Sequence, residues 1–197
     1  MRATLPVPAI LDALAGQIGL FLALLLCVSA LHKILWRSRT QHAVAELSGL
    51  GRRGAGVALF AAAAAEFAAA GWTLAQSAAQ GALLAALIWS GYFALIARAV
   101  LAGRREIDCG CSFGATHRPL GAFHLWRAAT LVALAGLLAA TGWSAEFDVH
   151  APALVLLDGA GALGALSQGL GAFALLALYA ALDRVMAIGP LRGGVLR

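Results

Sequence analysis

The sequence predicts an all-α polytopic membrane protein: a four-helix transmembrane bundle followed by a fifth C-terminal span. The 197-residue chain is 62% hydrophobic and only 12% charged, with a mean hydropathy of +0.87, so it lacks the polar surface of a soluble domain. Apolar runs of about 20 residues recur, which is the length that crosses a hydrocarbon core about 30 Å thick. In such a protein the net charge of +5 mostly sets orientation in the membrane, and we expect no nucleic-acid partner.

Five apolar segments are long enough to cross the bilayer. The first, centred on GLFLALLLCVSAL, is too long for a simple signal peptide. The predicted spans are residues 10–35, 55–74, 81–101, 120–141 and 163–188. This organisation predicts a four-helix membrane domain over residues 1–145. A polar loop, an extra span and a basic tail then follow over residues 146–197.

The connection between the first two spans, TQHAVAELSGLGRRG, has a helical pattern of its own. Its apolar residues Ala43, Val44, Leu47 and Leu50 are spaced so that they lie near one helical face. We therefore expect a short helix on the membrane surface.

Alternation of the spans brings chemically distinctive residues to one membrane face. The ends of spans one and three and the starts of spans two and four all meet there. The loop over residues 105–118 should therefore lie above the open end of the bundle, which we call the bundle mouth. The residues expected at that face are His32, Lys33, Arg98, Arg104, Arg105, Cys109, Cys111, His117, Arg118, His124 and Arg127.

Two cysteines one residue apart lie in that loop, within REIDCGCSFG. A disulfide between Cys109 and Cys111 closes a cramped ring, so it should be strained and easily reduced, and Gly110 widens the backbone angles available to it. Alternatively, the thiols form half of a zinc or copper(I) site with nearby histidines, although the spacing matches no closed zinc motif well and we assign no metal site. In the third interpretation they are small loop residues without chemistry.

Glu66, in AAAAAEFAAA, lies near the middle of the second span. A charged residue at the centre of a span costs about 2.5–3.5 kcal/mol on insertion scales. Glu66 is therefore a candidate proton donor or a partner for a cation inside the bundle, with Lys33 as the candidate. Alternatively, it is a protonated or snorkelling glutamate that holds two helices together. Further candidates for a binding role, each with an ordinary packing or interfacial alternative, are Cys27, His32, Arg98, His124 and Arg127.

Several stretches resemble the methylamine utilisation protein MauE family, which belongs with the DoxX-like membrane proteins. They are SALHK, AAAEFAAA, GRREIDCGCSFG and RPLGAFHLWRAATLVALAG, and the resemblance covers about residues 15 to 140. The chain departs from the family pattern at one point. The family usually has CGCFG, whereas here Ser112 precedes Phe113 and changes the turn after the cysteine pair.

The resemblance implies a membrane accessory protein for maturation of the methylamine dehydrogenase small subunit. It implies that Cys109 and Cys111 form the redox pair of a thiol-disulfide oxidoreductase or electron relay. A thioredoxin-like MauD-type protein, the small subunit and the lipid bilayer are the expected partners, in the bacterial inner membrane. A membrane quinone is a candidate cofactor only by analogy with other membrane thiol oxidoreductases. The alternatives are a non-enzymatic assembly or transport factor, a DoxX-like redox protein with another client, and a metal-handling protein.

The distribution of basic residues predicts which side the cysteines face. With five spans, every Lys and Arg except Arg2 falls on the side of the cysteine loop. The positive-inside rule then places Cys109 and Cys111 at the cytoplasmic face. The resemblance favours the opposite side, because the expected client matures in the periplasm. We give preference to the charge asymmetry, because it is a property of this chain.

Overall fold

The computed structural model describes residues 7–75, 78–104, 107, 120–142 and 159–188. Within these residues, every element of regular secondary structure is an α-helix. In chain order they are α1 (Val7–Leu35), α2 (Arg37–Ser48), α3 (Arg52–Ala75), α4 (Ala78–Leu101), α5 (Ala122–Gly142) and α6 (Gly159–Ile188).

Five of these helices are long and apolar enough to cross a membrane, which confirms the predicted fold class. They are α1, α3, α4, α5 and α6, and each coincides with one predicted span to within a few residues at either end. The division into two domains at residue 145 stays a prediction, because the chain around that position lies outside the described residues.

Helix α1 is the centre of the bundle and packs against α3, α4, α5 and α6. Its large side chains Leu22 and Leu26 are almost completely buried. Alanines from the neighbouring helices surround them, because small residues allow helix backbones to approach closely where both lipid and protein are apolar. Those alanines are Ala69, Ala70, Ala82, Ala85, Ala135, Ala139 and Ala172.

Helices α3 and α4 form an antiparallel pair with a very close approach near their connection. A Cβ atom added at Gly81 would lie within 2.5 Å of the backbone nitrogen of Thr73, a separation that real Cβ atoms do not adopt. The indole N–H of Trp72 also donates to Gln80 Oε1 at 2.8 Å across this end of the pair. Glycine at position 81 is therefore required by the packing of the two backbones.

Helix α2 confirms the expected short helix but begins earlier and ends before Leu50, and its position on the membrane surface stays a prediction. It starts at Arg37, directly after α1, and stops at Gly49, which adopts φ +75° and donates its N–H to Ala45 O. Such a left-handed residue terminates a helix at little cost when it is glycine. Leu50 consequently leaves the apolar face on which it was expected and is 45% exposed.

Helix α6 lies at the edge of the bundle and contacts mainly α1. Only 11% of its spanning segment is buried, compared with 39% for α1, so most of its apolar side chains face outward. Its inner face packs through the Phe21–Tyr179 ring contact and through Gly171, against which the Gln17 side chain lies.

The structure confirms that the helix ends expected at the bundle mouth lie together. Ile107 and Leu120 are buried in one cluster with Ile96 near the end of α4, and Leu47 of α2 packs against this cluster. The Arg104 guanidinium donates to the Glu46 carbonyl at 2.5 Å, which ties the end of α4 to α2. The two ends of the segment that carries the cysteines are thus anchored at this face.

Candidate functional site

Glu66 is completely buried in the interior of the bundle and is paired with Lys33. The Lys33 ammonium donates to Glu66 Oε1 at 2.7 Å and to Oε2 at 2.8 Å, so the two charges form a bidentate contact between α1 and α3. The sequence named Lys33 as the candidate partner, and this pairing is confirmed. Because the Lys33 side chain is itself only 10% exposed, the pair has little access to solvent.

Two hydroxyl groups complete the surroundings of this pair. Ser29 Oγ donates to Glu66 Oε1 at 2.9 Å and also accepts from the Lys33 ammonium at 2.7 Å. Tyr92 OH donates to the same carboxylate oxygen at 3.0 Å, and the ammonium lies 5.1 Å from the Tyr92 ring centroid. All three ammonium protons therefore have acceptors, and the carboxylate accepts from three side chains of α1 and α4. We call Ser29, Lys33, Glu66 and Tyr92 the Lys33–Glu66 cluster.

A second buried ion pair joins α5 to α6. Arg127 Nη1 donates to Asp183 Oδ1 at 2.7 Å, with 12% and 3% of the two side chains exposed. Arg127 was a candidate from the sequence, but its partner was missed. The signal available in the sequence was an acidic residue in the last turns of an apolar span, where an unpaired charge is costly.

A cavity of about 80 Å³ is lined by one cation of each ion pair, Lys33 and Arg127. Its wall also includes Ser29 and the aromatic side chains of Trp89, Tyr92 and Tyr179. A cavity of this volume, with several polar groups in a mostly apolar wall, can hold a few water molecules. It is smaller than the roughly 150 Å³ that accommodates a benzene ring. The cavity therefore does not fit the ring of the quinone expected by analogy, and we derive no step through such a cofactor.

Two histidines lie beside this cavity, as expected for residues of the bundle mouth. His124 is buried, and its Nδ1 accepts the Gly121 N–H at 3.4 Å near the start of α5. His32 is half-buried and stacks on Trp36, with the ring centroids 4.7 Å apart. Both side chains line the cavity.

Other predicted site residues do not join this arrangement. Arg98 is exposed and does not line the cavity. Cys27 is a partly buried free thiol that packs against the apolar core, also away from the cavity wall. Cys109 and Cys111 lie outside the described residues. Within the residues that are described, no three His, Cys, Asp or Glu side chains are grouped so that they could hold a metal ion.

These features define a polytopic α-helical membrane protein whose charged interior residues are paired and lie towards one face. The family model for "Methylamine utilisation protein MauE" matches residues 9–141, which is more than half of the chain, and the protein belongs to that family. The match ends before α6, so Asp183 and Tyr179 contribute to the cavity and the second ion pair from outside the matched segment. No curated protein and no solved structure matches the chain.

Proposed function

We propose that this MauE-family protein matures the methylamine dehydrogenase small subunit by thiol-disulfide exchange through Cys109 and Cys111. The observation that carries the proposal is the family match, because the Cys-Gly-Cys motif lies inside residues 9–141 and the family acts in methylamine utilisation. The expected companion is a thioredoxin-like protein of the MauD type, and the expected location is the bacterial inner membrane.

The chemistry of the pair follows from its spacing. A thiolate of the client or companion attacks one sulfur of the strained Cys109–Cys111 bond, forms a mixed disulfide with it and releases the other cysteine as a thiolate. A second thiolate of the same partner then attacks the partner's own sulfur in the mixed disulfide, which closes a disulfide in the partner and releases the remaining loop cysteine. The partner is oxidised to a disulfide as the pair is reduced to two thiols, so two electrons and two protons move together. Gly110 would give the short ring its backbone freedom. The charges of Arg104, Arg105 and Arg118 would favour the thiolate form, although those of Glu106 and Asp108 oppose it.

The fold supports this proposal because the chain on both sides of the cysteine loop is buried in the helical bundle. Ile107 is buried two residues before Cys109, and Leu120 is buried nine residues after Cys111. The Lys33–Glu66 cluster ties α1, α3 and α4 together below this end of the bundle. A loop anchored at both ends over a rigid bundle can present thiols to a soluble partner with little loss of conformational entropy.

Glu66 has two possible roles in this scheme. As a proton donor it would exchange a proton when the thiols are oxidised or reduced. As an anchor it would only hold Lys33 and the three helices in place. The contacts favour the anchor, because the carboxylate accepts hydrogen bonds from Ser29, Lys33 and Tyr92 and so joins α3 to α1 and α4.

The test is complementation of a methylamine-utilising bacterium that lacks its own copy of the gene. Cys109→Ser and Cys111→Ser should each abolish active methylamine dehydrogenase while the protein still inserts in the membrane. Cys27→Ser, which also removes one thiol, is the matched control and should remain active. Small-subunit disulfides are read by alkylation mass shift, and the same shift reports the oxidation state of the pair.

The other candidate functions give different outcomes. Full activity of both single serine variants would contradict the exchange mechanism and would favour a non-enzymatic assembly factor. A pair that cycles between oxidised and reduced forms, with methylamine dehydrogenase unaffected, would indicate another client. Loss of activity in Cys27→Ser, together with a trapped disulfide from Cys27 to the loop, would replace the assigned pair with a different one.

A further inference from the structure

We infer that the cleft between α2 and the start of α3 is a binding site for an anionic phospholipid, with its phosphate held by Arg37 and Arg52. The cleft has a volume of about 680 Å³ and opens outward. Both arginine side chains are exposed, one at the first residue of α2 and the other at the first residue of α3. This inference is independent of the proposed redox function.

The described part of the chain places no carboxylate against the two cations of the cleft. Among the described residues, neither Arg37 nor Arg52 has a carboxylate within ion-pair distance. The nearest acidic residue on α2, Glu46, contacts His42 at 3.2 Å. Two guanidinium groups that face one open cleft attract a phosphate oxygen and can bind it through several N–H groups at once.

Contacts within the protein fix the walls of the cleft. The Arg37 guanidinium lies over the Phe60 ring, 5.0 Å from the centroid, which restricts the position of that cation. The Gln41 side-chain amide donates to the Arg52 carbonyl at 2.6 Å and so joins α2 to the start of α3. Ser38 adds a hydroxyl to the same lining. The arrangement is therefore formed before a ligand arrives, which reduces the entropy lost on binding.

The surroundings fit a lipid better than a free phosphate ion. Leu35, at the end of α1, lines the cleft and is 70% exposed, and Trp36 beside it is 52% exposed. Below the cleft, the outer face of α3 presents Val57 and Phe60, which are 72% and 48% exposed. An amphiphile can place its phosphate between the arginines while its acyl chains run along this apolar surface. Tryptophan at the junction is typical of the membrane interface, where lipid head groups lie.

The ordinary alternative is that these arginines only contribute to the surface potential and orient the protein. Arg53 allows the two explanations to be separated. It is exposed, lies next to Arg52 on the same helix and carries the same charge, but it does not line the cleft. A general electrostatic effect would depend on all three arginines alike, whereas a site would depend on Arg37 and Arg52 only.

The experiment measures thermal unfolding of the full chain in neutral detergent micelles as phosphatidylglycerol is added. A ligand that binds only the folded protein raises Tm in a saturable manner. We expect saturation with phosphatidylglycerol and little effect from phosphatidylcholine or glycerol 3-phosphate. Arg37→Gln and Arg52→Gln should each raise the half-saturating lipid concentration about fivefold, as expected for one interfacial cation, and Arg53→Gln should change it less than about twofold.

A double lysine variant is the control for loss of binding that is caused by poor folding. Arg37→Lys with Arg52→Lys keeps both charges and should retain saturable binding. The inference would be overturned by an Arg53→Gln effect as large as that of Arg52→Gln, by an equal response to phosphatidylcholine, or by a Tm rise without saturation. An equal response to glycerol 3-phosphate would also overturn it, because the site would then recognise free phosphate esters and not a lipid.

Discussion

The Lys33–Glu66 pair predicts a specific pattern in a double-mutant cycle. The variants are Lys33→Met, Glu66→Leu and the double variant, which remove one charge, the other charge, or both. Lys33→Met leaves the charge of Glu66, whose side chain is 0% exposed, without its partner. Glu66→Leu leaves the charge of Lys33, whose side chain is 10% exposed, without its partner. Removing one partner of a buried pair typically costs about 3–5 kcal/mol, so we expect both single variants to be destabilised by about that amount.

The double variant should be much less destabilised than the sum of the two single variants. It removes both charges and replaces them with apolar side chains, a change that is often nearly neutral in buried sites. Ser29 and Tyr92 lose their common acceptor, so a remaining cost of about 1–3 kcal/mol is expected. The coupling between positions 33 and 66 should therefore exceed about 3 kcal/mol.

The assay is unfolding in mixed micelles with increasing SDS, followed by helical circular dichroism. Destabilisation below about 1 kcal/mol in both single variants, or additive losses in the double variant, would refute the reasoning. The double variant also bears on the role of the pair. A stable and active double variant would leave Glu66 as an anchor, whereas a stable but inactive one would show that Lys33 or Glu66 takes part in the mechanism.

Three further predictions follow from other parts of the chain. Gly81→Ala should lower the free energy of unfolding by about 1–3 kcal/mol in the same SDS assay, because the added Cβ would meet the facing α3 backbone. The control Gly91→Ala should be nearly neutral, because the space around its added Cβ is open. Asp183→Asn should destabilise the protein by about 3 kcal/mol, because it removes the charge of one member of a largely buried ion pair, and a second change of Arg127 to a neutral residue should recover part of this loss. An impermeant maleimide should label Cys109 and Cys111 in inverted vesicles and not in reduced intact cells; labelling in intact cells alone would contradict the positive-inside argument.

The sequence was sufficient to predict the spans because each is an uninterrupted apolar run of bilayer length. It also identified Glu66 as costly and Lys33 as its candidate partner, since both lie within or beside spans that had to be neighbours. It did not reveal Ser29 and Tyr92 as members of the cluster. A serine and a tyrosine are unremarkable in apolar helices, and only the rotation of α1 and α4 about their axes turns them towards the carboxylate.

The Arg127–Asp183 ion pair could not be predicted from the sequence, for a different reason. Its residues are separated by 56 positions, and nothing in an apolar segment specifies which side of the bundle the last helix covers. The end of α2 was missed on a smaller scale. Continuation of the apolar pattern to Leu50 suggested a longer helical face, but the left-handed conformation of Gly49 ends the helix first. The periodicity of apolar residues along the sequence predicts neither the local backbone conformation nor the position of a helix in the bundle.

The pairing of Arg127 with Asp183 has a consequence for biosynthesis. The arginine is translated 56 residues before the aspartate, and at about 5–20 residues per second that separation lasts roughly 3–11 s. During this time the first four spans are made without the Asp183 carboxylate. The Arg127–Asp183 pair therefore forms last, and a chain that stops before Asp183 lacks this link between α5 and α6.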